Sequence, residues 1–362
     1  MGGKKVIGLV WGILFFLNIS SGFGFVQSTD QGTKIVFEHL ESSNFPIELK
    51  INNQGSADLT FAQSRDALVA SMERWTNIST SKVNFTNSTT SLSATGVNDG
   101  NFVLFFNESP SLGSSVIAAT LLFVSTTTGE IVDADIEFNG NNFIFNVDGT
   151  NGGGNFDLES IATHEIGHLL GLDHTTIGTD IAGINVPEDI RPTLYPFAFS
   201  SGTKGRSLEK DDIAGASFIY PETTFYTDFG GIKGNITKNN GSSVFGANVV
   251  AINISNNATI SSLSGYSTGS SGRGEYYIAG LAPGNYIIAL EPLDGGNGIS
   301  DSNIGGIFSG LETQFKDEFY NNIPNLINAI NISVSAGANT TNINLKKLKN
   351  RKLKNKIKWF QK

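Results

Sequence analysis

The sequence predicts two folded domains: an α+β domain, in which helices pack on a mixed, twisted sheet, and an all-β sandwich that follows it. The chain of 362 residues is long enough for two hydrophobic cores. Up to Pro221, apolar β-rich runs alternate with segments of helical spacing, as in helices packed on a sheet. From Phe229 to Leu345, apolar and polar residues alternate, and Gly, Asn and Ser are frequent, which indicates short strands joined by turns.

The first domain is predicted to begin with a strand and a helix. The strand is expected in the apolar run FPIELKINN from Phe45, which ends in turn-forming Asn and Gly residues. Residues 61–78 then place apolar side chains at the spacing of an amphipathic helix. Further strands are expected at 83–85, 102–106, 116–124 and 131–138, separated by Ser, Thr, Asn and Gly.

The two ends of the chain differ in charge from its middle. Residues 1–25 hold two lysines and no acidic residue, and residues 346–362 hold nine basic residues and no acidic one. The stretch between them has 13 basic and 33 acidic side chains. Such an acidic body excludes nucleic acid as the main partner, because it cannot neutralise phosphates. We therefore divide the chain into 1–25, 26–224, 225–345 and a basic tail, 346–362.

Residues 1–25 have the features of a secretory signal peptide. A short positive region is followed by an apolar run from Val6 to Ile19 and by a small, polar end. The apolar run is shorter than the roughly 20 residues that a membrane span needs, although an uncleaved N-terminal anchor is the alternative. We therefore expect a secreted, extracellular protein, and the absence of cysteine is compatible with export.

Three of the four histidines lie in one string of eleven residues, HEIGHLLGLDH. His164 and His168 are four residues apart, so on a helix their rings lie on the same face and can reach one ion. Gly171 is expected to end this helix in the left-handed conformation, so that the chain turns back and His174 becomes the third ligand. Three imidazoles leave one open position on a tetrahedral zinc, as in catalytic sites.

Glu165 is the candidate catalytic residue. On a helix it lies about 100° around the axis from the first ligand, where it can accept a proton from a zinc-activated water and pass it to the leaving amine. Asp157 is the expected N-cap of the helix. A lone histidine is usually a core residue and a bare HExxH occurs by chance, but the extended string specifies five positions and indicates a metal site. The fourth histidine, His39, is interpreted as structural or as a surface residue.

The string HEIGHLLGLDHT, at 164–175, resembles the zinc-binding consensus of the metzincin metallopeptidases, and its GLD and final Thr resemble the matrixin branch. VDADIEFN at 132–139 resembles the matrixin strand that runs along the cleft and pairs with substrate, and LEKDDIAGASFIYP at 208–221 resembles the matrixin C-terminal helix. The resemblance covers most of 45–221. It implies a metzincin-type catalytic domain, one catalytic zinc, and protein or peptide substrates that bind as an extra strand at a sheet edge.

The sequence departs from the family pattern in two places. The methionine that metzincins place beneath the zinc corresponds to Leu194 in the string PTLYP, and such Leu–Met exchanges usually cost under about 1.5 kcal/mol. We expect Leu194, Tyr195 and Pro196 to contribute to the substrate pocket. The chain also lacks the propeptide cysteine that keeps many matrixins latent, so we expect export without a cysteine switch.

Calcium is a second cation that the sequence could bind. No histidines remain for the additional zinc that animal matrixins hold outside the active site. Asp133, Asp135, Glu137 and Asp148 could offer oxygen ligands to calcium, which is a hard cation. Such acidic residues could equally form a solvated face, so calcium is kept without assigned ligands.

Several strings of the second domain resemble the carboxypeptidase regulatory-like β-sandwich, among them IKGNI, VFGANVVAIN and GEYYIAGLAPGNYIIALEP. The domain has no His and no Cys, so we expect structural support, with matrix or cell-surface contact as the alternative. The basic tail could lie as a helix on an anionic surface, but its apolar residues keep poor register, which favours a solvated tail.

The predicted function is that of a secreted, monomeric zinc metalloendopeptidase. The rival is a secreted zinc-bearing binding or adhesion protein that has lost its activity, for which Leu194 is the only argument. Glu165 argues against this rival, because a general base has no role beside three metal ligands in an inactive protein.

Overall fold

The computed structural model describes residues 29–31, 35–37, 39–92, 98–125, 127–265, 274–293, 298–304 and 312–347. The predicted signal peptide, 1–25, lies outside these residues, as does 348–362 of the tail. The first two strands, β1 (Thr29–Gln31) and β2 (Ile35–Phe37), form an antiparallel pair. Within the described ranges, no helix is long and apolar enough to cross a membrane.

A five-stranded mixed sheet forms the centre of the first half of the chain. Its strands are β3 (Ile47–Asn52), β4 (Phe85–Thr90), β5 (Phe102–Asn107), β6 (Ala118–Val124) and β7 (Ile131–Asn139). The order across the sheet is β4-β3-β5-β7-β6, and only β6 runs antiparallel to its neighbour. These strands confirm the predicted runs, except that β4 lies further along the chain than 83–85. Its polar side chains suit an edge strand with one exposed face.

The strand predicted to run along the cleft does not lie at the edge of the sheet. β7 is hydrogen-bonded on one side to β5 and on the other to β6, so its main chain is already paired. The prediction that 132–139 pairs with substrate is therefore wrong, and β6 is the edge strand on that side. The acidic residues in VDADIEFN looked solvent-facing in sequence, whereas Asp133, Asp135 and Glu137 are buried.

The described residues form four α-helices: α1 (Phe61–Thr76), α2 (Leu158–Leu169), α3 (Lys210–Ile219) and the single-turn α4 (Phe225–Asp228). Helix α1 begins with a capping box between Thr60 and Gln63. It packs with α2 on the sheet, where Leu68 and Trp75 share one apolar core with Leu49 of β3. Helices on a mixed sheet are the predicted α+β arrangement.

Two short strand pairs flank the second helix. Strands β8 (Ile144–Asn146) and β9 (Asn155–Asp157) pair in parallel just before α2, and β10 (Asp180–Ile181) and β11 (Ile184–Asn185) form a hairpin after it. Short 3₁₀ helices occur at Ser42–Asn44, Glu188–Ile190, Gly202–Arg206, Asp301–Ile304 and Leu326–Asn328.

The second half of the chain is built from strands. They are β12 (Gly230–Thr237), β13 (Ala247–Asn253), β14 (Thr259–Leu263), β15 (Glu275–Leu281), β16 (Gly284–Pro292), β17 (Glu318–Phe319), β18 (Ile332–Val334), β19 (Asn339–Thr340) and β20 (Leu345–Lys346). One sheet contains β15, β12, β19 and β20, and the other contains β14, β13, β16, β17 and β18. Side chains of both sheets, such as Ile232, Ile278, Val249 and Ile288, share one buried core.

The described residues include the first two of the segment predicted as the basic tail, Lys346 and Lys347. Lys346 pairs with Thr237 in the sheet, and the Lys347 N–H donates to the Thr237 carbonyl at 2.9 Å. The ammonium groups of Lys347 and Lys238 both contact the carboxylate of Glu312. The main chains of Lys346 and Lys347 are therefore bound to β12, and the Lys347 ammonium has an ionic partner.

Candidate active site

Helix α2 carries the first two predicted metal ligands. The Asp157 carboxylate accepts the Ser160 N–H at 3.0 Å and caps the start of the helix. At the other end, Gly171 has a φ of 83°, and the Leu172 N–H donates to the Gly167 carbonyl at 3.1 Å. This left-handed turn reverses the chain after α2 and brings His174 back towards the helix. The predicted cap and the predicted stop signal are both confirmed.

The three histidines converge through their Nε2 atoms. The His164 Nε2 atom lies 3.1 Å from that of His168 and 3.2 Å from that of His174. Two nitrogens on a tetrahedral zinc, each about 2.0–2.1 Å from the ion, would be about 3.3 Å apart. Among the described residues, these three form the one group of three or more His, Cys, Asp or Glu side chains close enough to hold a metal. The donor set therefore fits a zinc ion.

Backbone carbonyls fix the protonation of all three rings. The Nδ1 atoms of His164 and His168 lie 2.8 Å from the carbonyls of Thr193 and Leu172, and that of His174 lies 2.6 Å from the carbonyl of Asn303. Because a carbonyl only accepts hydrogen bonds, each Nδ1 carries the proton and each Nε2 keeps a free lone pair for the metal.

The electrostatic surroundings also keep these rings neutral. Burial, together with the neighbouring His168, lowers the pKa of His164 to about 3. Burial likewise lowers the pKa of His168 and that of His174. Neutral imidazoles are the form that binds metals, so no proton has to be displaced from these rings near neutral pH.

Glu165 lies beside this group and is held by a strand. Its Oε2 accepts a hydrogen bond from the Thr120 hydroxyl of β6 at 2.7 Å. Burial raises the pKa of Glu165 to about 7, and the bond from Thr120 partly opposes this rise. Sequence reasoning missed Thr120. The one available signal was a polar residue inside the apolar run AATLLFV.

Leu194 lies against the middle of helix α2, beneath the ligands. A Cβ placed on Gly167 would come within 2.5 Å of the Leu194 Cδ2 atom, so the two residues are in close contact. Leu194 is 3% exposed, and the Thr193 and Leu194 N–H groups donate to the Asp212 carboxylate of α3 at 2.8 and 3.2 Å. Helix α3 therefore holds the turn, a role for Asp212 that sequence reasoning also missed.

Tyr195 and Pro196, the other residues predicted to line the substrate pocket, are buried next to Leu194. The Arg191 guanidinium stacks over the Tyr195 ring at 4.6 Å, and Phe199 packs beside it with a centroid distance of 6.0 Å. The structure thus brings the three residues together, and their part in binding substrate stays a prediction.

The four acidic residues considered for calcium do not form one group. Asp133 accepts N–H bonds from Asp99 and Gly100, and Asp135 accepts one from Val103. Glu137 accepts one from the Asn107 amide, whereas Asp148 is exposed. The alternative of a solvated acidic face is therefore wrong for Asp133, Asp135 and Glu137, which are buried in β7. The described part of the chain shows no metal-binding cluster that includes any of them.

The fourth histidine stays apart from the three ligands. His39 forms an isolated bridge with Glu130, and its Nε2 lies 3.6 Å from the Glu41 carboxylate. The interpretation of His39 as structural or superficial agrees with this position.

An HExxH helix with a third histidine after a glycine turn is the arrangement of the metal-dependent peptidases. Comparison with known families refines this class, because the matrixin peptidase family matches residues 39–221. The chain therefore belongs to the matrixin family.

Plant metalloendoproteinases are among its relatives. Metalloendoproteinase 1 of Glycine max is 42% identical over 65 residues, which are 18% of this chain and 17% of that protein. Metalloendoproteinase 5-MMP of Arabidopsis thaliana is 42% identical over 64 residues, or 18% and 14% of the two chains. The aligned stretch thus spans less than a fifth of the length of these relatives. The similarity therefore concerns this stretch and not the whole chain.

Proposed function

We propose that the protein is a secreted zinc endopeptidase in which Glu165 acts as the general base. The observation that carries this proposal is the convergence of three neutral imidazoles beside a buried carboxylate. Membership of the matrixin family and the similarity to plant metalloendoproteinases support it. The signal-like residues 1–25 are the sole argument for export.

The residues of the site divide the chemistry among them. A zinc ion held by His164, His168 and His174 would polarise the scissile carbonyl and make water more acidic. The Glu165 carboxylate then removes a proton from the attacking water and delivers it to the nitrogen of the leaving amine. Thr120 holds Oε2, which leaves Oε1 for this proton. A pKa of about 7 suits a group that must both accept and release a proton near neutral pH.

Strand β6 is the proposed place for the substrate main chain. It pairs with β7 on one side, and no described strand pairs with its other edge. An extended peptide can add to such an edge through main-chain hydrogen bonds. Thr120 belongs to the same strand and contacts Glu165, so a peptide bound along β6 passes beside the general base.

For the second half, we propose a carboxypeptidase regulatory-like β-sandwich that supports the catalytic half. Two sheets with a shared apolar core support this assignment. The monomeric state stays a prediction, and so does a solvated basic tail, 346–362, to which contact with an anionic surface is the alternative. Calcium binding, for which no ligands are assigned, stays an open alternative: a calcium-dependent rise in Tm at constant zinc would support it, and an unchanged Tm would oppose it.

The alternative of an impaired adhesion protein is not favoured by the geometry. Its one argument was Leu194, and this side chain is buried in close contact with α2. Leu and Met have similar volume and polarity, so the exchange leaves an apolar residue beneath the ligands.

The decisive experiment compares the full secreted chain with Glu165→Gln, which keeps the size of the side chain and removes the base. We expect about one zinc per chain in both proteins, and cleavage of casein or gelatin to fall about 10²- to 10⁴-fold in the variant. The exposed Glu73→Gln on α1 is the matched control and should behave as the wild type. Absence of chelator-sensitive cleavage in the wild type would overturn the proposal.

A further inference from the structure

The third metal ligand takes its support from the other half of the chain. The carbonyls that hold His164 and His168 belong to Thr193 and Leu172, close to the ligands in the first half. The carbonyl that holds His174 belongs to Asn303, 129 residues further along the chain. One of three equivalent contacts therefore depends on how the second half docks.

Among the described residues, no other polar group offers His174 Nδ1 a hydrogen bond of similar quality. The nearest carboxylate is that of Asp173, whose Oδ1 lies 3.9 Å from Nδ1, beyond hydrogen-bonding distance. This oxygen accepts the backbone N–H of His174 at 2.6 Å instead. The Asn303 carbonyl at 2.6 Å is thus the group that determines which nitrogen of His174 carries the proton.

The segment 298–304, which we call the bridging segment, is ordered by its own contacts. Asn303 Oδ1 accepts hydrogen bonds from the Ser300 N–H at 2.9 Å and from its hydroxyl at 2.7 Å. The Asn303 N–H in turn donates to the Ser300 carbonyl at 3.0 Å. This closed turn directs the Asn303 carbonyl towards His174.

Apolar side chains dock the bridging segment on the first half. Ile299 and Ile304 are fully buried in a cluster with Tyr195 and Phe199, which follow the turn beneath the ligands. Leu263 and Leu293 of the second half complete this cluster. Burying Ile304 against Tyr195 and Phe199 therefore fixes the position of the neighbouring Asn303 carbonyl.

The chain that follows His174 is tied to the second half as well. Thr176 exchanges two hydrogen bonds with the Asn248 amide, at 2.8 and 3.1 Å. The Ala182 N–H donates to the Glu291 carboxylate at 3.0 Å. Below these bonds, residues of both halves form a second buried cluster: Ile177, Ile181, Val186, Val250, Ile252, Ile287, Ala289 and Phe319. The His174 ring is thus held by the bridging segment, and the chain after it by β13 and β16, all outside the matched family region, 39–221.

We propose that the bridging segment is part of the metal centre, and that Asn303 is a positioning residue whose carbonyl orients His174 for zinc. This inference rests on the proposed function for the identity of the ion. Removing a group that orients a metal-binding histidine typically weakens metal affinity 10- to 100-fold. The second half therefore contributes to zinc affinity as well as to the stability of the catalytic half.

The test uses the full chain and measures zinc affinity by competition with a chelator. Ile304→Ala should release the segment from its cluster and weaken zinc binding about 10- to 100-fold. Asn303→Ala removes the side-chain acceptor for Ser300 and leaves the core intact. This variant should also weaken zinc binding. Ile327→Ala is the matched surface control, because Ile327 is 90% exposed, and should leave the affinity unchanged.

A second control separates orientation of the ligand from stability in general. Ile236→Ala shortens a buried isoleucine in the core of the second half, which belongs to neither interface cluster, and should lower Tm without changing zinc affinity. In the zinc-loaded wild type, proton NMR should show a protected imidazole N–H for each ligand, and the signal of His174 should be lost or broadened in Ile304→Ala.

The outcomes keep the two proposals apart. Unchanged zinc affinity and an unchanged His174 signal in both bridging-segment variants would overturn the inference and leave the peptidase proposal standing. Equal weakening in Ile236→Ala would also overturn it, because a general loss of stability would then be the cause. A wild type that neither binds zinc nor cleaves protein would instead contradict the proposed function.

Discussion

Glu165 is a carboxylate whose behaviour depends on one strand residue. Burial favours its protonated form and raises its pKa to about 7, while the Thr120 hydroxyl stabilises the ionised form and fixes one oxygen. A general base must be ionised to accept a proton and correctly placed to deliver it. Thr120 serves both requirements. The hydrogen bonds that the structure describes for its hydroxyl go to Glu165 and not to the metal ligands.

We predict that Thr120→Val lowers the rate of peptide cleavage about 10- to 100-fold, because a hydrogen bond to a charged group contributes about 1.5–3 kcal/mol. Zinc content should stay at that of the wild type. The measurement is kcat/KM on a fluorogenic peptide together with metal analysis. Thr89→Val, at an exposed position of β4, is the control. Equal kcat/KM in Thr120→Val and the control would show that Glu165 does not need this bond.

Helix α2 and the turn that carries Leu194 form one packed unit. Gly167 lets the Leu194 side chain approach the helix between the two ligands, and the Asp212 carboxylate holds the turn through two N–H groups. Burial raises the pKa of Asp212 to about 6. The N–H donors stabilise the ionised carboxylate and so partly oppose this rise. The ligands are therefore rigid only as long as α2, the turn and α3 stay packed together.

For Leu194 we predict that substitution by Met changes the free energy of unfolding by less than about 1.5 kcal/mol, whereas substitution by Ala costs about 2–5 kcal/mol. The volume is kept in the first variant, and a cavity beneath the ligands opens in the second. Urea unfolding of the zinc-free proteins measures both values. A Leu194→Met variant that gains activity manyfold would instead show that leucine impairs the site.

The parts of the site that sequence analysis predicted are local in the chain. His164 and His168, the Asp157 cap and the Gly171 turn all lie within or next to one helix, where spacing determines geometry. Thr120 and Asn303 could not be found in this way, since they contact the site from 45 and 129 residues away. No local period links such distant positions.

The misplaced cleft strand has a similar cause. The residue pattern of β7 shows that it is a strand, but whether a strand lies at the edge depends on the order of strands in the sheet. That order is set by contacts between distant segments. The α+β character of the first half and the all-β character of the second followed from local periodicity, and both were predictable.

At the scale of the whole molecule, the two halves are joined by buried apolar clusters and by buried hydrogen bonds. Ile177, Ile181 and Val186 of the first half are covered by β13, β16 and β17 of the second. Asp211 of α3 accepts hydrogen bonds from Thr175 and from Ser261 of β14. Such an interface resembles a domain core more than a flexible connection between domains.

We predict that the full chain unfolds in one cooperative transition, because neither half can open without exposing these clusters to water. Residues 26–224 produced alone should precipitate or unfold at a lower temperature than the full chain. Differential scanning calorimetry of the zinc-free proteins measures both properties. Two well-separated transitions in the full chain, with a soluble and equally stable fragment, would contradict this prediction.

The long separation between His174 and Asn303 also imposes an order in time. Ribosomes make the chain from the N-terminus, so all three histidines and Glu165 are synthesised at least 129 residues before the Asn303 carbonyl exists. A growing chain holds its ligands without the last of their three carbonyl acceptors until the second half has been made and has docked. Completion of the centre therefore coincides with completion of the fold, in a chain that has no thiol with which to delay it.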